Sequence, residues 1–395
     1  MPERNLDFDR VIDRRGTDCL KFDFAKRRGM PEDLMSFWVA DMDFQTSSYI
    51  QDALRAAVDH GIFGYSDPTE RYYAAVKRWM KTRHDYDVEE EETVAVPGVV
   101  FGLSQAVRAF TSPGDAVAIL QPVYYPFSEV VLSSGRKLVV SELVRDASGR
   151  YAIDYEDFER KLDENDVKLF INCSPHNPVG RVWTREELER LGDLCLSRNV
   201  LFVSDEIHND FDFSGKHVVF STIKRDYVEN SIVCTSPSKT FNLAGLQTGN
   251  FFIPNPKLRR KFRATIESVG YSQMNLMGIV ATIAAYEHGD EWRDAMMKYV
   301  EGNIDFAVEF INGEIPGVST LKNEGTYLMW LDFSEFGLVG AELDRFIVDE
   351  AKLWLDGGGI FGASGRNFQR VNVACSREYL TRGLERLRSA VLARR

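Results

Sequence analysis

The apolar and polar residues of this chain follow two periods along its length. Between residues 94 and 234, short apolar runs alternate with amphipathic segments such as residues 185–197; the runs are AVAILQP, KLVVSEL, VKLFINC, VLFVSDE and SIVCTS. Runs of this length that are rich in β-branched residues predict strands, and the helical spacing of the segments between them predicts helices. Strands that alternate with helices predict an α/β fold in which helices cover both faces of a mostly parallel sheet.

The regions on either side of this alternation predict further helices and a second unit. Residues 52–84 predict two helices around the connector GIFGYSDP, residues 258–268 and 274–288 predict two more, and a long helix begins near residue 291. After residue 316, the runs TYLMWLDF and FQRVNVAC predict strands, and residues 340–352 and 377–391 predict helices. We therefore expect a large domain over residues 48–290 and a smaller α+β domain after it.

Composition and charge narrow the class of protein. The chain has 395 residues, of which 44% are hydrophobic and 27% charged, as in soluble globular proteins. Its net charge of -12 and the lack of a basic cluster argue against a nucleic-acid partner. The most apolar stretch, residues 276–286, is much shorter than the roughly 20 residues that a membrane span requires, so we expect a core helix there.

Cysteine usage and the N-terminal residues indicate a compartment. The chain has five widely spaced cysteines, an odd number, and we expect reduced and mostly buried thiols. The first residues, MPERNLDFDRVIDRRG, carry charges throughout and contain no apolar signal core. We therefore expect a cytoplasmic protein without a membrane partner.

The heptapeptide SPSKTFN, residues 236–242, contains the most informative side chain, Lys239. A lone lysine on a solvated loop is the ordinary alternative, but two other predicted strand ends deliver Asn177 and Asp205. Ligands of α/β sheets bind at the carboxyl ends of the strands, so the three side chains predict one site. They suit pyridoxal phosphate, which needs an amine for its aldehyde, a carboxylate for its ring nitrogen and a donor for its phenolate oxygen. No metal site is predicted.

Four further motifs identify a family: FWVADMDF (37–44), FGYSDPT (63–69), PVYYPF (122–127) and SPHNPVGRVW (174–183). The chain resembles fold-type I pyridoxal-phosphate enzymes of the aminotransferase class I and II superfamily, and within them the carbon-sulfur lyases called cystathionine β-lyase or cystalysin. The resemblance implies a seven-stranded, mostly parallel sheet between helices in the large domain. It also implies that residues 1–47 join residues 291–395 in the small domain as an N-terminal arm, and that the enzyme is a homodimer.

The roles of the central residues follow from this chemistry and from the resemblance. Lys239 is expected to be both the coenzyme's covalent anchor and the base, because a positively charged, partly dry pocket lowers the pKa of an amine. Asp205 is expected at the ring nitrogen, although a strand-end cap is its alternative, and Glu206 is expected on the opposite face. His208 stands where classical aspartate aminotransferases place a tyrosine on the phenolate oxygen, and a purely structural histidine remains equally open.

The phosphate is expected at a helix N-terminus. Gly98, Val99 and Val100 precede the amphipathic segment 101–110, so backbone N–H groups are available there, although a plain strand-to-helix turn is the alternative. Ser236 and Ser238 resemble the family's phosphate-binding hydroxyls.

Two other positions bear on the phosphate. Tyr65, by resemblance, reaches the phosphate of the neighbouring subunit. Gln247 stands where aminotransferases carry an arginine eight residues after the lysine. Since an amide holds phosphate less strongly than an arginine fork, the site is expected to depend more on backbone donors and hydroxyls.

The substrate side of the site contains aromatic and basic candidates. Tyr124 is expected to stack on the coenzyme ring and to take part in catalysis, with Tyr125 as a polar neighbour; core aromatics are the alternative. Arg370, in FQRVNVAC, resembles the superfamily arginine that binds the substrate's α-carboxylate, although a surface-strand arginine is common. Ala40 and Asn177 are expected beside it.

The expected reaction is an α,β-elimination on an amino-acid substrate. A thiolate leaves readily because its conjugate acid has a pKa near 8.5. L-Cystathionine or a related cysteine S-conjugate would give pyruvate, ammonia and a thiol such as homocysteine, as part of methionine metabolism, and cysteine itself would give hydrogen sulfide. An aminotransferase is the alternative, against which Gln247 and FWVADMDF argue. Members of this lyase branch are also implied to modulate a transcriptional regulator, but no surface in the sequence marks such a partner.

Overall fold

The computed structural model of the protein describes residues 2–394. Its helices, in chain order, are α1 (Ser48–His60), α2 (Glu70–His84), α3 (Val99–Phe110), α4 (Pro126–Ser133), α5 (Tyr155–Glu164), α6 (Arg185–Leu196), α7 (Arg225–Val228), α8 (Pro237–Thr240), α9 (Pro256–Ser268), α10 (Leu276–His288), α11 (Asp290–Glu314), α12 (Ala341–Arg345) and α13 (Arg377–Arg394). Its strands are β1 (Met35–Ser36), β2 (Thr93–Val96), β3 (Ala116–Gln121), β4 (Lys137–Glu142), β5 (Val144–Arg145), β6 (Tyr151–Ala152), β7 (Val167–Cys173), β8 (Leu201–Asp205), β9 (Ser231–Thr235), β10 (Gly249–Phe252), β11 (Ser319–Thr320), β12 (Leu328–Asp332), β13 (Leu353–Trp354), β14 (Asp356–Gly357) and β15 (Phe368–Asn372).

The largest sheet contains seven strands in the order β2–β10–β9–β8–β7–β3–β4. Strands β4, β3, β7, β8 and β9 run parallel to one another, whereas β10 is antiparallel to both of its neighbours. The five apolar runs between residues 116 and 236 all form strands of this sheet, with helices between most of them. The prediction of an α/β fold with a mostly parallel seven-stranded sheet is therefore confirmed.

Both faces of this sheet are buried, which explains why its strands are continuously apolar rather than alternating. In β8, Phe202 packs into one hydrophobic core and its neighbour Val203 into the other. In β9, Val233 and Ile232 divide between the same two cores. Successive strand residues point to opposite faces, so a sheet covered on both sides selects apolar residues at every position.

Helix α3 approaches the sheet closely because a glycine faces it. A Cβ atom placed on Gly102 would lie 2.1 Å from a ring carbon of Phe251 in β10. The absence of a side chain lets the N-terminal end of α3 lie against the sheet, next to the ends of the strands.

A second sheet has the antiparallel order β11–β12–β15–β14, and α11 packs against both β11 and α13. Strand β1 pairs in parallel with β13, which brings the FWVADMDF segment beside this second unit. The helix expected over residues 340–352 is α12 followed by a π-helical turn, Phe346–Glu350. The second sheet thus positions both Arg370, in β15, and the segment 37–44.

The remaining sequence predictions about the core also hold. The cysteines at positions 19, 173, 195, 234 and 375 are all buried, free thiols. Among residues 2–394, no helix combines the length and the apolar character that crossing a bilayer would take.

Candidate active site

Three neighbouring strands of the largest sheet end side by side, and polar residues at or just after their ends lie close together. Asp205, the last residue of β8, pairs in register with Cys173 of β7 and Cys234 of β9. Asn177 and Lys239 follow β7 and β9 by a few residues. A cavity of about 480 Å³ lies at this edge of the sheet, and the predicted residues that line it are Ala40, Val99, Val100, Tyr124, Asn177, Asp205, His208, Ser238 and Lys239.

Lys239 lies on α8, a single helical turn whose start is fixed by Ser236. The Ser236 hydroxyl accepts the N–H of Ser238 at 3.0 Å and donates to the carbonyl of Thr248 at 2.6 Å. Pro237 occupies the first helical position, where its fixed φ suits a helix start. Ser236 therefore caps the lysine helix and does not line the cavity, in contrast to Ser238.

The amine of Lys239 is buried and partly deprotonated at neutral pH. Burial, followed by the positive charge of Arg370, lowers the pKa of Lys239 to about 8, although Asp41 and Asp205 act in the opposite direction. The amine donates a hydrogen bond to the carbonyl oxygen of Ala40 at 2.7 Å. A neutral amine is the form that attacks an aldehyde or accepts a proton, so the cavity gives this lysine the property that its predicted role requires.

Asp205 is a buried carboxyl group that lacks a cationic partner. It accepts the N–H of Ile207 at 3.1 Å and forms no ion pair among the described residues. Burial raises its pKa to about 7. A desolvated carboxyl group of this kind favours a cationic ligand, because a positive charge would restore the solvation that the cavity removes.

Glu206 and Asp205 point to opposite sides of the strand end, as predicted. Glu206 points away from the cavity and accepts hydrogen bonds from Ser204 at 2.9 Å and from the N–H of Phe220 at 3.0 Å. His208 lines the cavity, and its Nδ1 is buried without a hydrogen-bond partner among the described residues. Burial and the nearby charges of Lys239 and Arg370 hold the pKa of His208 well below its usual value, so the ring is neutral.

The start of α3 forms the opposite wall of the cavity. Gly98 has a φ of +136°, and no side chain caps the helix. Val99 and Val100 line the cavity, so the first turn of the helix is presented to a ligand with its N–H groups available. Gln247 also lines this wall.

Tyr124 faces the cavity, whereas Tyr125 lies behind it. The N–H of Tyr124 donates to the carbonyl of Asn177 at 3.0 Å, which fixes the aromatic residue to the neighbouring strand end. Burial raises the pKa of the Tyr124 phenol, so it is protonated at neutral pH. The Tyr125 ring centroid lies 5.4 Å from that of Tyr124, and Tyr125 does not line the cavity.

Arg370 adjoins the cavity through Asn177. One guanidinium nitrogen donates to the Asn177 side-chain oxygen at 3.1 Å, and the other donates to the carbonyl of Trp38 at 2.8 Å and to the carboxylate of Asp356. Burial raises the pKa of Asp356 even though Arg370 lowers it. The arginine is only 3% exposed, so its geometry is fixed before any substrate arrives.

Tyr65 lies outside the cavity, on the connector between α1 and α2. It is 97% exposed and lines a surface depression together with Pro97 and Gln247, which also line the cavity. The two openings are therefore adjacent, and the predicted contact of Tyr65 with a neighbouring subunit stays a prediction.

Two residues that the sequence did not reveal contribute to the site. Tyr327 donates its hydroxyl to the carbonyl of Ala40 at 2.9 Å, so it shares an acceptor with Lys239. Asp356 forms an ion pair with Arg370. Tyr327 stands at the start of the predicted strand TYLMWLDF, where a core aromatic is the natural interpretation, and no pattern around Asp356 indicates a pairing with β15.

The polar groups that line this cavity match the functional groups of pyridoxal phosphate. The buried carboxyl of Asp205 suits a pyridine nitrogen, the amine of Lys239 an aldehyde, and Asn177 and the neutral His208 a phenolate oxygen. The open first turn of α3 suits a phosphate. The residues present therefore fit the coenzyme expected from the sequence.

Comparisons with known proteins agree with this geometry. The family model described as aminotransferase class I and II matches residues 32–387. The cystathionine β-lyase PatB of Bacillus subtilis is 42% identical over 387 residues, which cover 98% of this chain and 100% of PatB. Cystalysin of Treponema denticola has a TM-score of 0.95 at 34% identity, covering 98% of this chain and 99% of its own, and the C-S lyase of Staphylococcus hominis has a TM-score of 0.91 at 33% identity, covering 98% of both chains. The chain belongs to the aminotransferase class I and II family.

Proposed function

We propose that the protein is a pyridoxal-phosphate-dependent carbon-sulfur lyase that acts on L-cystathionine and related cysteine S-conjugates. The products of this α,β-elimination are pyruvate, ammonia and a thiol such as homocysteine. The observation that carries the proposal is the meeting of Lys239, Asp205 and Asn177 in one cavity at the ends of three parallel strands.

The comparisons support both the cofactor and the reaction class. Cystalysin and the Staphylococcus hominis C-S lyase were solved with pyridoxal phosphate bound. PatB is named a cystathionine β-lyase. The cofactor and the lyase activity predicted from the sequence are thereby confirmed at the level of the enzyme class.

Five side chains or backbone segments would hold the coenzyme. Lys239 would bind its aldehyde, Asp205 would pair with its ring nitrogen, and Tyr124 would stack on its ring. When bound, pyridoxal phosphate supplies an electron sink for the negative charge that develops at the substrate Cα. Ser238 and the first turn of α3, with Val99 and Val100, would bind the phosphate.

The residues of the chain then orient the substrate and move its proton. Arg370 binds the α-carboxylate with its preset guanidinium, and Asn177 lies between this group and the coenzyme site. Lys239 accepts the Cα proton as a neutral amine, the form that a pKa lowered to about 8 favours relative to an ordinary lysine. General base catalysis of this type contributes about 10²- to 10⁴-fold to a rate.

The leaving group needs little further help. A thiolate with a conjugate-acid pKa near 8.5 departs from Cβ with limited acid assistance. Tyr124, whose phenol is protonated and lines the cavity, is placed to stabilise the departing sulfur. Ala40 completes the substrate side of the site, with its carbonyl accepting a hydrogen bond from Lys239. Tyr125, expected there from the sequence, contacts Tyr124 but does not line the cavity.

We further propose a homodimer in which Tyr65 of one subunit reaches the coenzyme phosphate of the other. The connector and the adjoining end of α1 expose large apolar side chains: Val58 is 54% exposed, Ile62 66%, Phe63 62% and Tyr65 97%. A contiguous apolar segment of this kind is typical of a protein interface. Because this segment adjoins the cavity, a partner subunit bound to it would lie beside the site, which supports the proposed role of Tyr65.

The domain division and the compartment also remain proposals. We place residues 48–290 in the coenzyme-binding domain, and residues 1–47 and 291–395 in the small domain that contributes Arg370. The enzyme is proposed to act in the cytoplasm. No surface feature of residues 2–394 supports a regulatory protein partner.

The experiment that tests the proposal compares two lysine substitutions in purified enzyme. In the wild-type enzyme, borohydride reduction should leave the coenzyme covalently attached through denaturing dialysis, and cystathionine should release pyruvate. Lys239→Ala should lose both properties. Lys257→Ala, at an exposed position on α9, should retain both properties. Pyruvate and thiol released by the wild-type enzyme without an added keto acid support the lyase; strict dependence on a keto acid would establish an aminotransferase instead.

A further inference from the structure

Arg28 is an exposed arginine that stacks on Trp38, a residue whose backbone contacts Arg370. It ends the short 3₁₀ turn Lys26–Arg28, and its guanidinium carbon lies 4.9 Å from the centre of the Trp38 ring. Trp38 in turn stacks on Trp354 with ring centroids 4.7 Å apart and an angle of 15° between the planes. An arginine that stacks on an aromatic face keeps its N–H edge free for hydrogen bonding.

The same tryptophan connects this arginine to Arg370. The carbonyl oxygen of Trp38 accepts a hydrogen bond from Arg370 at 2.8 Å, while its ring supports Arg28. One residue of the FWVADMDF segment therefore holds two guanidinium groups in a fixed relation to each other. Arg370 is buried, whereas Arg28 is exposed.

The two arginines differ in how their charges are balanced. Arg370 is paired with Asp356, whereas Arg28 forms no ion pair with any residue in the described range 2–394. The positive charge of Arg28 still contributes to lowering the pKa of Asp356 and of Tyr125, although burial raises both. Trp38 thus links the exposed guanidinium of Arg28 to the ion pair of Arg370 and Asp356.

We infer that Arg28 binds a second carboxylate, located at the far end of the substrate, and so selects diacidic cysteine S-conjugates such as L-cystathionine over monoacidic ones. This inference rests on the proposed function, because it assumes that Arg370 binds the α-carboxylate. Cystathionine has a carboxylate at each end, whereas S-methyl-L-cysteine has only one. An exposed guanidinium supported by an indole ring offers two parallel N–H groups, the arrangement that recognises a carboxylate.

The experiment uses the holoenzyme with both substrates. In Arg28→Met, which keeps an apolar stem over Trp38, kcat/KM for cystathionine should fall about tenfold, chiefly through KM, because one charge-assisted contact is lost. The value for S-methylcysteine should stay within about twofold. Arg28→Lys should recover part of the loss, since a lysine retains the charge without the fork.

Arg27→Met is the matched control, because Arg27 belongs to the same turn and is exposed but has no contact with Trp38. It should leave both substrates unchanged. Raising the salt concentration should reduce kcat/KM of the wild type more for cystathionine than for S-methylcysteine, and Arg28→Met should abolish this difference. Equal effects of Arg28→Met on the two substrates, or no effect on either, would overturn the inference.

Failure of the inference can be distinguished from failure of the proposed function. If the wild-type enzyme releases pyruvate from both substrates but Arg28→Met preserves their ratio, the lyase stands and Arg28 has no part in selection. If the wild type releases pyruvate from neither, the proposed function itself is wrong, and the selectivity argument falls with it.

Discussion

Replacement of Asp205 by asparagine should stabilise the coenzyme-free protein while weakening its hold on the coenzyme. Burial raises the pKa of Asp205 to about 7, whereas an unfolded chain would give it a pKa near 3.8. The folded state therefore binds a proton more tightly than the unfolded state. Above the folded pKa the carboxyl is ionised in both states, and folding carries the full cost of desolvating a charge that lacks a partner.

The size of the effect follows from the difference between the two pKa values. About three units correspond to about 4 kcal/mol at about pH 8, and the cost falls as the pH drops from the folded pKa toward the unfolded one. An asparagine has no charge to desolvate. We expect Asp205→Asn to raise the free energy of unfolding by up to about 4 kcal/mol at about pH 8 and by less than half of that at about pH 5.

The assay is urea unfolding of the coenzyme-free protein at these two pH values, followed by a coenzyme titration. Because we propose that Asp205 pairs with the coenzyme's ring nitrogen, the same substitution should weaken coenzyme binding. If the substitution stabilises the coenzyme-free protein and weakens its affinity for the coenzyme, the Asp205 carboxyl binds a cationic ligand at a cost to the stability of the protein.

Asp210 provides a matched control, since it is an equally buried aspartate five positions along the chain. Burial would raise its pKa, but a hydrogen bond from His84, at 3.1 Å, together with the charge of Arg293 and the hydroxyl of Thr240, lowers it to about 2. Its stabilising contribution is present above the unfolded pKa and is lost only as the pH falls toward 2. Asp210→Asn should therefore destabilise the protein by about 2 kcal/mol, equally at about pH 8 and about pH 5.

The reasoning would be refuted if Asp205→Asn lowered the free energy of unfolding at about pH 8, or raised it by the same amount at both pH values. The first result would mean that the Asp205 carboxyl already has a partner in the coenzyme-free protein, and the second that the gain in stability does not come from the desolvation of its charge. If the first result were found, Asp205→Asn and Asp210→Asn would change the free energy of unfolding in the same direction.

Two further substitutions test the packing around the site by chemical and thermal unfolding. Gly102→Ala should cost at least about 2 kcal/mol, because its Cβ would lie 2.1 Å from Phe251, whereas Gly313→Ala, with no atom within 4 Å, should gain about 0.5 kcal/mol; equal changes would contradict the packing argument. Thr240→Val removes the 2.6 Å hydrogen bond to Asp210 and should cost about 1–2 kcal/mol, and Thr240→Ser should restore most of it; a serine variant as unstable as the valine one would count against the hydrogen bond.

The sheet and the centre of the site were predictable because their signals are local. Each strand is predicted by a short apolar run in the sequence. Because parallel strands point the same way, the polar residues that follow these runs lie at the same edge of the sheet. Asn177, Asp205 and Lys239 could therefore be placed together without knowledge of any long-range contact. The start of α3 was predictable for the same reason, because Gly98 and the helix that follows it are adjacent in the sequence.

The contacts that the sequence did not reveal join residues far apart in the chain. Tyr327 reaches Ala40 across 287 positions, and neither residue carries a motif that points to the other. Asp356 pairs with Arg370 because β14 and β15 lie in register, and strand register in an antiparallel sheet depends on turns whose lengths a hydrophobic pattern does not specify. Ser236 was expected at the phosphate, but its hydroxyl is taken up by the backbone of its own helix start.

The FWVADMDF segment contacts the site through its backbone more than through its side chains. Its role could therefore be inferred from a family resemblance but not from its pattern of side chains. The carbonyl of Ala40 accepts hydrogen bonds from both Lys239 and Tyr327, and the carbonyl of Trp38 accepts one from Arg370. Carbonyl oxygens are present at every residue, so no pattern of side chains could single these two out. The segment contacts both Lys239, the proposed base, and Arg370, the proposed ligand of the substrate carboxylate, so a shift of its backbone would change both at once. Substitutions that move this segment should therefore alter kcat and KM together, whereas loss of the lysine amine alone should act on kcat.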